Sequence, residues 1–405
     1  MALFVPSAAR AQGDDSGGPP PPPVTPPTKD VGDVWHQLRH KLPTGDAPPD
    51  DEESREHFFV LAPSIGSKPS TGVNGGFSSS FAFFSGDPRT TRISVLSTGL
   101  KFSQKKQTLS GVKFSIFTPD DRWFLQGDNR LWWTSQDTYA LGTDSLQPGS
   151  ANVKYDFFRL YEMAYRKVKP GLFVGLGVNV DVHANARAAV GAESAFDESA
   201  YLAYSERHGF TENTQTSSGT SVGLLHDTRD NAINAQRGWL ASATYRTFVN
   251  GFLGGDSTWQ ELYLDARTYR KLTPDARHKL AFWFLGDLVT GGTAPYLDLP
   301  ENGGDGRSAR GYGEGRFRGE RMLYGEMEYR GTITSNGLLG MVAFLNVTTV
   351  DNAETGEKLF NSAAPAAGFG LRVLLNKRSR TNLCTDYAWG KDGSRGFYLA
   401  IQEAF

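Results

Sequence analysis

"RMLYGEMEYRGTI", residues 321–333, places Leu323, Met327 and Tyr329 on one side of an extended chain and Glu326, Glu328 and Arg330 on the other. Successive side chains of a β-strand point to opposite faces, so this period of two predicts a strand whose two faces meet different surroundings. "RGWLASATYRTFV", residues 237–249, repeats the pattern. Trp239, Ala241, Ala243, Tyr245 and Val249 oppose Ser242, Thr244 and Arg246.

Segments of this kind, bounded by Gly, Pro, Asn and Asp, begin near Phe58, Val73, Thr91, Lys106, Arg122, Val153, Gly171, Ser218, Arg237, Ser257, His278, Arg321, Leu339, Pro365, Arg380 and Gly396. Many reach the roughly nine to eleven residues that a tilted strand needs to cross a bilayer. No helical pattern is read between them from His57 to the last residue. A soluble β-sandwich is disfavoured because its strands usually run only about five or six residues. Charged inner faces on long strands suit a closed barrel with lipid outside, since closure pairs every backbone group that hydrocarbon would leave unsatisfied. The predicted fold is all-β: a transmembrane antiparallel β-barrel of about sixteen strands over residues 57–405, whose lumen is wide enough to admit water unless something fills it.

Composition agrees. The chain of 405 residues has 46 glycines, 26 phenylalanines, 15 tyrosines and 8 tryptophans, rich in turn-formers and aromatics together. Its 42 Lys and Arg against 44 Asp and Glu lack the basic surplus of a nucleic-acid binder, so no nucleic-acid partner is expected. The single cysteine, Cys384, excludes an intramolecular disulfide framework and a cysteine-based metal cluster. It reads as a small packing residue of a strand. No run of about eighteen apolar residues exists to form a membrane-spanning helix.

Ahead of the strands, "MALFVPSAARAQG" ends in the A-x-A pattern Ala9-Arg10-Ala11, which marks residues 1–11 as the remnant of a signal peptide whose start lies upstream. Residues 12–56 divide into a linker containing "PPPPPVTPP", one amphipathic helix and the acidic stretch "DAPPDDEESRE". The helix, "VGDVWHQLRHKL", sets Val31, Val34, Trp35, Leu38 and Leu42 at helical spacing with Arg39, His40 and Lys41 opposite, and fits either a partner or a membrane surface.

One segment follows neither period. "GRSARGYGEGRFRGER", residues 306–321, holds five arginines and five glycines with no apolar face, a composition that usually denotes a solvated loop or a phosphate contact. A polar barrel interior would also accommodate it. Its "ARGY" at Ala309–Tyr312, the following "GEMEY", "VAFLNV" in the next strand, "LLHDTRDNAINAQRGW" in mid-barrel and the closing "GFYLAIQEAF" together resemble the barrel of the BamA/TamA superfamily of bacterial outer-membrane surface antigens. The resemblance covers about His57 to Phe405.

That resemblance implies a sixteen-stranded barrel in the bacterial outer membrane whose sixth extracellular loop folds into the lumen. By position Arg310, Gly311 and Tyr312 match its Arg-Gly-aromatic motif, and Glu328 matches the glutamate that partners the arginine. Phe344 and Asn346 stand where an aromatic and an aspartate are usual, so a hydrogen bond replaces the second ion pair. Superfamily members that insert or secrete proteins carry periplasmic POTRA domains before the barrel. The short N-terminal stretch here fits none, and the chain is expected to resemble the branch without them.

The last stretch, "GFYLAIQEAF", sets Phe397, Leu399, Ile401 and terminal Phe405 on one face, and in outer-membrane barrels such an ending resembles the signal read by the assembly machinery. In the first strand Pro63 lacks a donor and Gly66 adds a second weak point. Either the missing donor falls on the seam between first and last strands, or Pro63 merely begins the strand at the membrane boundary. Two functions follow: assisting insertion or transport of proteins or lipids through a weak seam of Pro63, Gly66 and Phe405, or a passive pore or structural barrel. No catalytic or metal-binding constellation is found, so no enzyme and no cofactor are expected. His226 with Asp227 is the nearest approach to a base and its orienting carboxylate, and reads as a turn. Expected partners are outer-membrane lipid, the assembly machinery and an unidentified periplasmic protein.

Overall fold

In the computed structural model of the protein, residues 28–40, 57–68, 71–145, 151–189 and 192–405 are described. The expected signal remnant, linker and acidic stretch, with Leu42, lie outside them.

Sixteen antiparallel strands form one closed barrel in chain order. They are β1 (His57–Lys68), β2 (Gly72–Phe83), β3 (Ser94–Ser103), β4 (Thr108–Phe117), β5 (Trp123–Thr138), β6 (Ala151–Lys169), β7 (Leu172–Ala188) and β8 (Gln215–Asp227), then β9 (Gly238–Phe248), β10 (Trp259–Lys271), β11 (His278–Gly292), β12 (Arg321–Thr332), β13 (Leu339–Val350), β14 (Ala364–Asn376), β15 (Thr381–Trp389) and β16 (Arg395–Ile401). Each begins within a few residues of its expected start.

The alternation resolves into an inside and an outside. On β12, Glu326, Glu328 and Arg330 are buried in the lumen while Met327 is 41% exposed. On β9, Trp239 and Tyr245 lie exposed and Arg246 turns inward to Glu261, 2.7 Å away. Apolar side chains on the outer wall and buried charges within are the distribution of a barrel in lipid.

The two ends differ. Long connections, 189–214 and 293–320, lie at one end, and tight turns such as 170–171 and 377–380 at the other. Longer loops mark the extracellular side and short turns the periplasmic one. The expected N-terminal helix is present as α1 (Val31–His40) at the periplasmic end.

One expectation fails. The connection after β7 contains α2 (Glu193–Asp197) and α3 (Ala200–His208), where no helix was expected. Ser199 caps α3 by accepting from the Leu202 N–H at 3.1 Å, and Gly209 ends it in the left-handed conformation. Tyr201 and Tyr204 are buried against Tyr296 of the 293–320 connection. Burial of this short helix over the barrel mouth supplies what its length alone could not.

Candidate functional site: a lumenal loop lock and a short seam

Residues 293–320, between β11 and β12, do not remain outside. The segment crosses the lumen: Lys113 Nζ of β4 donates to the Asp305 carbonyl at 3.1 Å, and Arg130 Nη1 of β5 donates to the Gly304 carbonyl at 2.8 Å. Internal bonds hold its shape. Asn302 Nδ2 donates to the Gly313 carbonyl at 2.8 Å, and its Oδ1 accepts the Phe317 N–H at 2.6 Å. Arg318, 2% exposed, pairs with Glu301 and donates to the Tyr296 carbonyl at 2.6 Å. The Arg-Gly stretch is thus neither a solvated loop nor a phosphate site but a folded element inside the barrel.

Arg310 meets the wall of β12, β13 and β15. It donates to Glu328 Oε2 at 2.5 Å, to Asp386 Oδ2 at 2.6 Å and to Glu326, and its guanidinium carbon lies 3.6 Å from the centroid of the Phe344 ring. Charge-assisted bonds to three carboxylates offset the cost of burying one cation. Gly311 has a φ of 112°, and a Cβ there would lie 2.9 Å from the Ala366 side chain and 3.1 Å from the Trp389 backbone. Only glycine fits that conformation and that approach without strain. Tyr312 donates to the Pro365 carbonyl at 2.5 Å and accepts the Lys391 N–H at 2.9 Å. Asn346 Nδ2 donates to the Arg310 carbonyl at 3.1 Å, so it holds the loop backbone and leaves the guanidinium alone.

The network residues that the sequence did not assign to the lock are Glu326, Asp386, Arg372, Arg330 and Glu403. Arg372 joins Asp386 at 2.6 Å to Glu403 at 2.7 Å, while Arg330 donates to Glu328 at 2.7 Å and to the Phe405 carbonyl at 2.9 Å. Loop tip and chain end therefore share one buried ion network. For Glu326, Arg330, Arg372 and Asp386 the signal available was an inward position in the alternation, whereas the alternation set Glu403, beyond the end of β16, on the face of Phe397.

The chain end corrects a second expectation. β16 stops at Ile401, Gln402 adopts a φ of 75°, and the tail turns into the lumen instead of continuing the outer face. Gln402 Nε2 donates to Ser80 Oγ at 2.8 Å, and Asn382 Nδ2 donates to Glu403 at 2.8 Å. Phe405, expected among the seam residues on the face of Phe397, is 4% exposed and lies 5.2 Å from the Trp283 ring. Ion pairs and aromatic packing inside outweigh the lipid face for a phenylalanine two residues after a glutamate.

That departure leaves the seam short. Among the described residues β1 and β16 share one register pair, Ser67 with Phe397, whereas β15 and β16 pair from Leu383–Ile401 to Trp389–Arg395. Pro63 lies in the interior of β1, in unbroken register with β2 opposite Phe77, and does not begin the strand. Carrying the Ser67–Phe397 register onward sets Pro63 opposite Ile401, the last residue of β16. The residue without a donor thus faces the point where its neighbour leaves the sheet. Beside the paired Ser67, a Cβ at Gly66 would stand 3.3 Å from the Phe397 carbonyl and 3.3 Å from Asn74 Oδ1, so glycine permits the close approach there.

His226 and Asp227 do not combine. His226 is exposed on the outer face, while Asp227 is buried and bonded by Arg229 at 2.9 and 3.0 Å. Cys384 is buried and unbridged.

The Omp85 superfamily domain matches residues 73–405. The chain belongs to the Omp85 superfamily. Solved Omp85-like barrels agree in fold: BamA from Haemophilus ducreyi lacking POTRA domains 1–3 superposes with a TM-score of 0.54 at 12% identity, over 85% of this chain and 70% of that one. CdiB from Acinetobacter baumannii gives 0.54 at 13% identity over 94% of this chain and 64% of that one. CdiB from Escherichia coli gives 0.55 at 12% identity over 85% and 62%. The chain therefore spans less than two thirds of either CdiB chain. No curated protein matches the sequence. As an Omp85 barrel related in fold to BamA and CdiB, the protein is one of the bacterial outer membrane.

Proposed function

We propose that this Omp85 barrel assists the insertion or movement of proteins or lipids by opening between β1 and β16. The observation that carries the reading is the seam itself: one register pair among the described residues, with a proline opposite the end of the last strand. An unpaired edge in hydrocarbon costs several kcal/mol for each unsatisfied polar group, so a junction with few bonds to break is the place where the wall parts most readily. The lock loop and the inward tail support this over a passive pore, because both occupy the lumen that a pore would keep clear.

The test is a cross-link. Cysteines replacing Ser67 and Phe397, in a Cys384→Ser background, occupy paired positions whose Cα spacing in an antiparallel sheet of about 4.5–5.5 Å suits a disulfide. The protein is reconstituted in liposomes, and lipid scrambling, insertion of a test barrel and conductance are followed. Oxidation is expected to suppress scrambling and insertion, with reduction restoring both. Activities indifferent to the cross-link would leave a static scaffold or pore.

A further inference from the structure

Helix α1 is held to the barrel by its polar side. The Lys29 N–H donates to the Asn336 carbonyl at 2.9 Å, in the turn between β12 and β13, and the Lys377 N–H after β14 donates to Asp30 Oδ2 at 3.0 Å. Lys377 Nζ reaches both carboxylate oxygens of Asp33 at 3.1 Å. Asp33, Val34 and Gln37 form the half-buried side of the helix. Of its apolar stripe Val34 stays on that side, while Val31, Trp35 and Leu38 point away, with Trp35 66% and Leu38 71% exposed. A helix that packs on a globular core buries its apolar stripe and solvates its polar one. Here the arrangement is reversed.

The turns that hold the helix lie at the margin of the lipid-facing band. Ile333, Leu339 and Met341, exposed on the outer wall, flank the turn that holds Lys29, and Leu371 is exposed on the strand that ends at Asn376, next to Lys377. Arg39 and His36 are exposed along one flank of the stripe. An apolar stripe with an aromatic residue and basic neighbours, fixed at the edge of a bilayer-crossing wall, is the composition of a helix lying in the headgroup region.

From these positions we infer that α1 is an interfacial anchor: Val31, Trp35 and Leu38 dip into the periplasmic leaflet beside β12–β14, and Arg39 meets lipid phosphates. Three apolar side chains alone partition weakly into a membrane. Tethering by Asp30 and Asp33 raises their effective concentration at the leaflet, so the second contact costs little further ordering. The same stripe is too narrow for a protein partner, which in a stable complex covers roughly 800 Å² on each side. The anchor fixes one end of the barrel wall to the bilayer independently of how the seam behaves.

The full chain carrying Cys384→Ser tests this with an environment-sensitive fluorophore placed by Trp35→Cys, Leu38→Cys or His36→Cys. It is reconstituted in phosphatidylethanolamine–phosphatidylglycerol vesicles that contain lipids with a nitroxide high on the acyl chain. Labels at 35 and 38 are expected to be quenched at least about twofold more than the label at 36, and to approach a Leu371→Cys reference on the barrel wall. Adding Lys377→Ala should lower the quenching at 35. Labels at 35 and 38 that ignore the lipid nitroxides overturn the anchor: if aqueous iodide reaches them the stripe faces the periplasm, and if iodide does not, protein covers it. Quenching that is equal at 35, 36 and 38 overturns it as well.

Discussion

Replacing Arg310 by alanine should release the lumenal loop without opening the barrel. The guanidinium serves three carboxylates, but they depend on it unequally. Asp386 keeps Arg372 at 2.6 Å and Glu328 keeps Arg330 at 2.7 Å, whereas Glu326 retains only the Tyr324 hydroxyl. One buried carboxylate is therefore left without a cation, a loss of about 3–5 kcal/mol. At ~1.4 kcal/mol per factor of ten, the equilibrium between docked and released loop should move by roughly two to four orders of magnitude. Strand ladders are untouched, so the barrel should keep its heat resistance in gel mobility. Amide exchange of residues 301–319 in vesicles reads the opening directly, because protection reports the free energy of local release. Arg310→Ala should erase most of that protection, and Arg310→Ala with Glu326→Gln should regain part of it by removing the stranded charge. Loop protection unchanged in the single variant, or a double variant no better than the single, would refute an electrostatic lock at this position.

Gly311→Ala should lower thermal stability by about 1–3 kcal/mol and displace the loop tip, because a Cβ meets the Trp389 backbone at a φ that L-residues avoid; an unchanged melting temperature would count against it. Pro63→Ala supplies the missing donor opposite Ile401 and should slow lipid scrambling by strengthening the seam, so scrambling that stays the same or rises would separate the proline from the gate. Glu403→Gln removes the charge that Arg372 holds at 2.7 Å and should speed thiol labelling of an Ala404→Cys probe at least about tenfold, the equivalent of ~1.4 kcal/mol.

Strand number, strand limits and the two-solvent wall were legible from residue order alone, because alternation with period two is local and a bilayer fixes the length each strand must reach. The Arg-Gly-Tyr segment also declared itself, since no secondary structure could use its composition. The lock's membership was not legible. Glu326 and Glu328 looked alike as inward carboxylates, and Asp386 and Arg372 looked like ordinary lumenal charges, until the closed barrel brought β12 and β15 to the Arg310 guanidinium and Arg372 of β14 to Asp386. The fate of Phe405 was likewise decided by tertiary contacts. Its place in the alternation put it on the lipid face, but the turn at Gln402 and the cations at positions 330 and 372 draw the tail inward. Helix α1 carries the same lesson: its stripe was written in the sequence, while the side that meets the barrel was set by Lys377, more than three hundred residues away. Local periodicity fixes which faces a segment has; which face is buried depends on partners that only the closed fold brings within hydrogen-bonding distance.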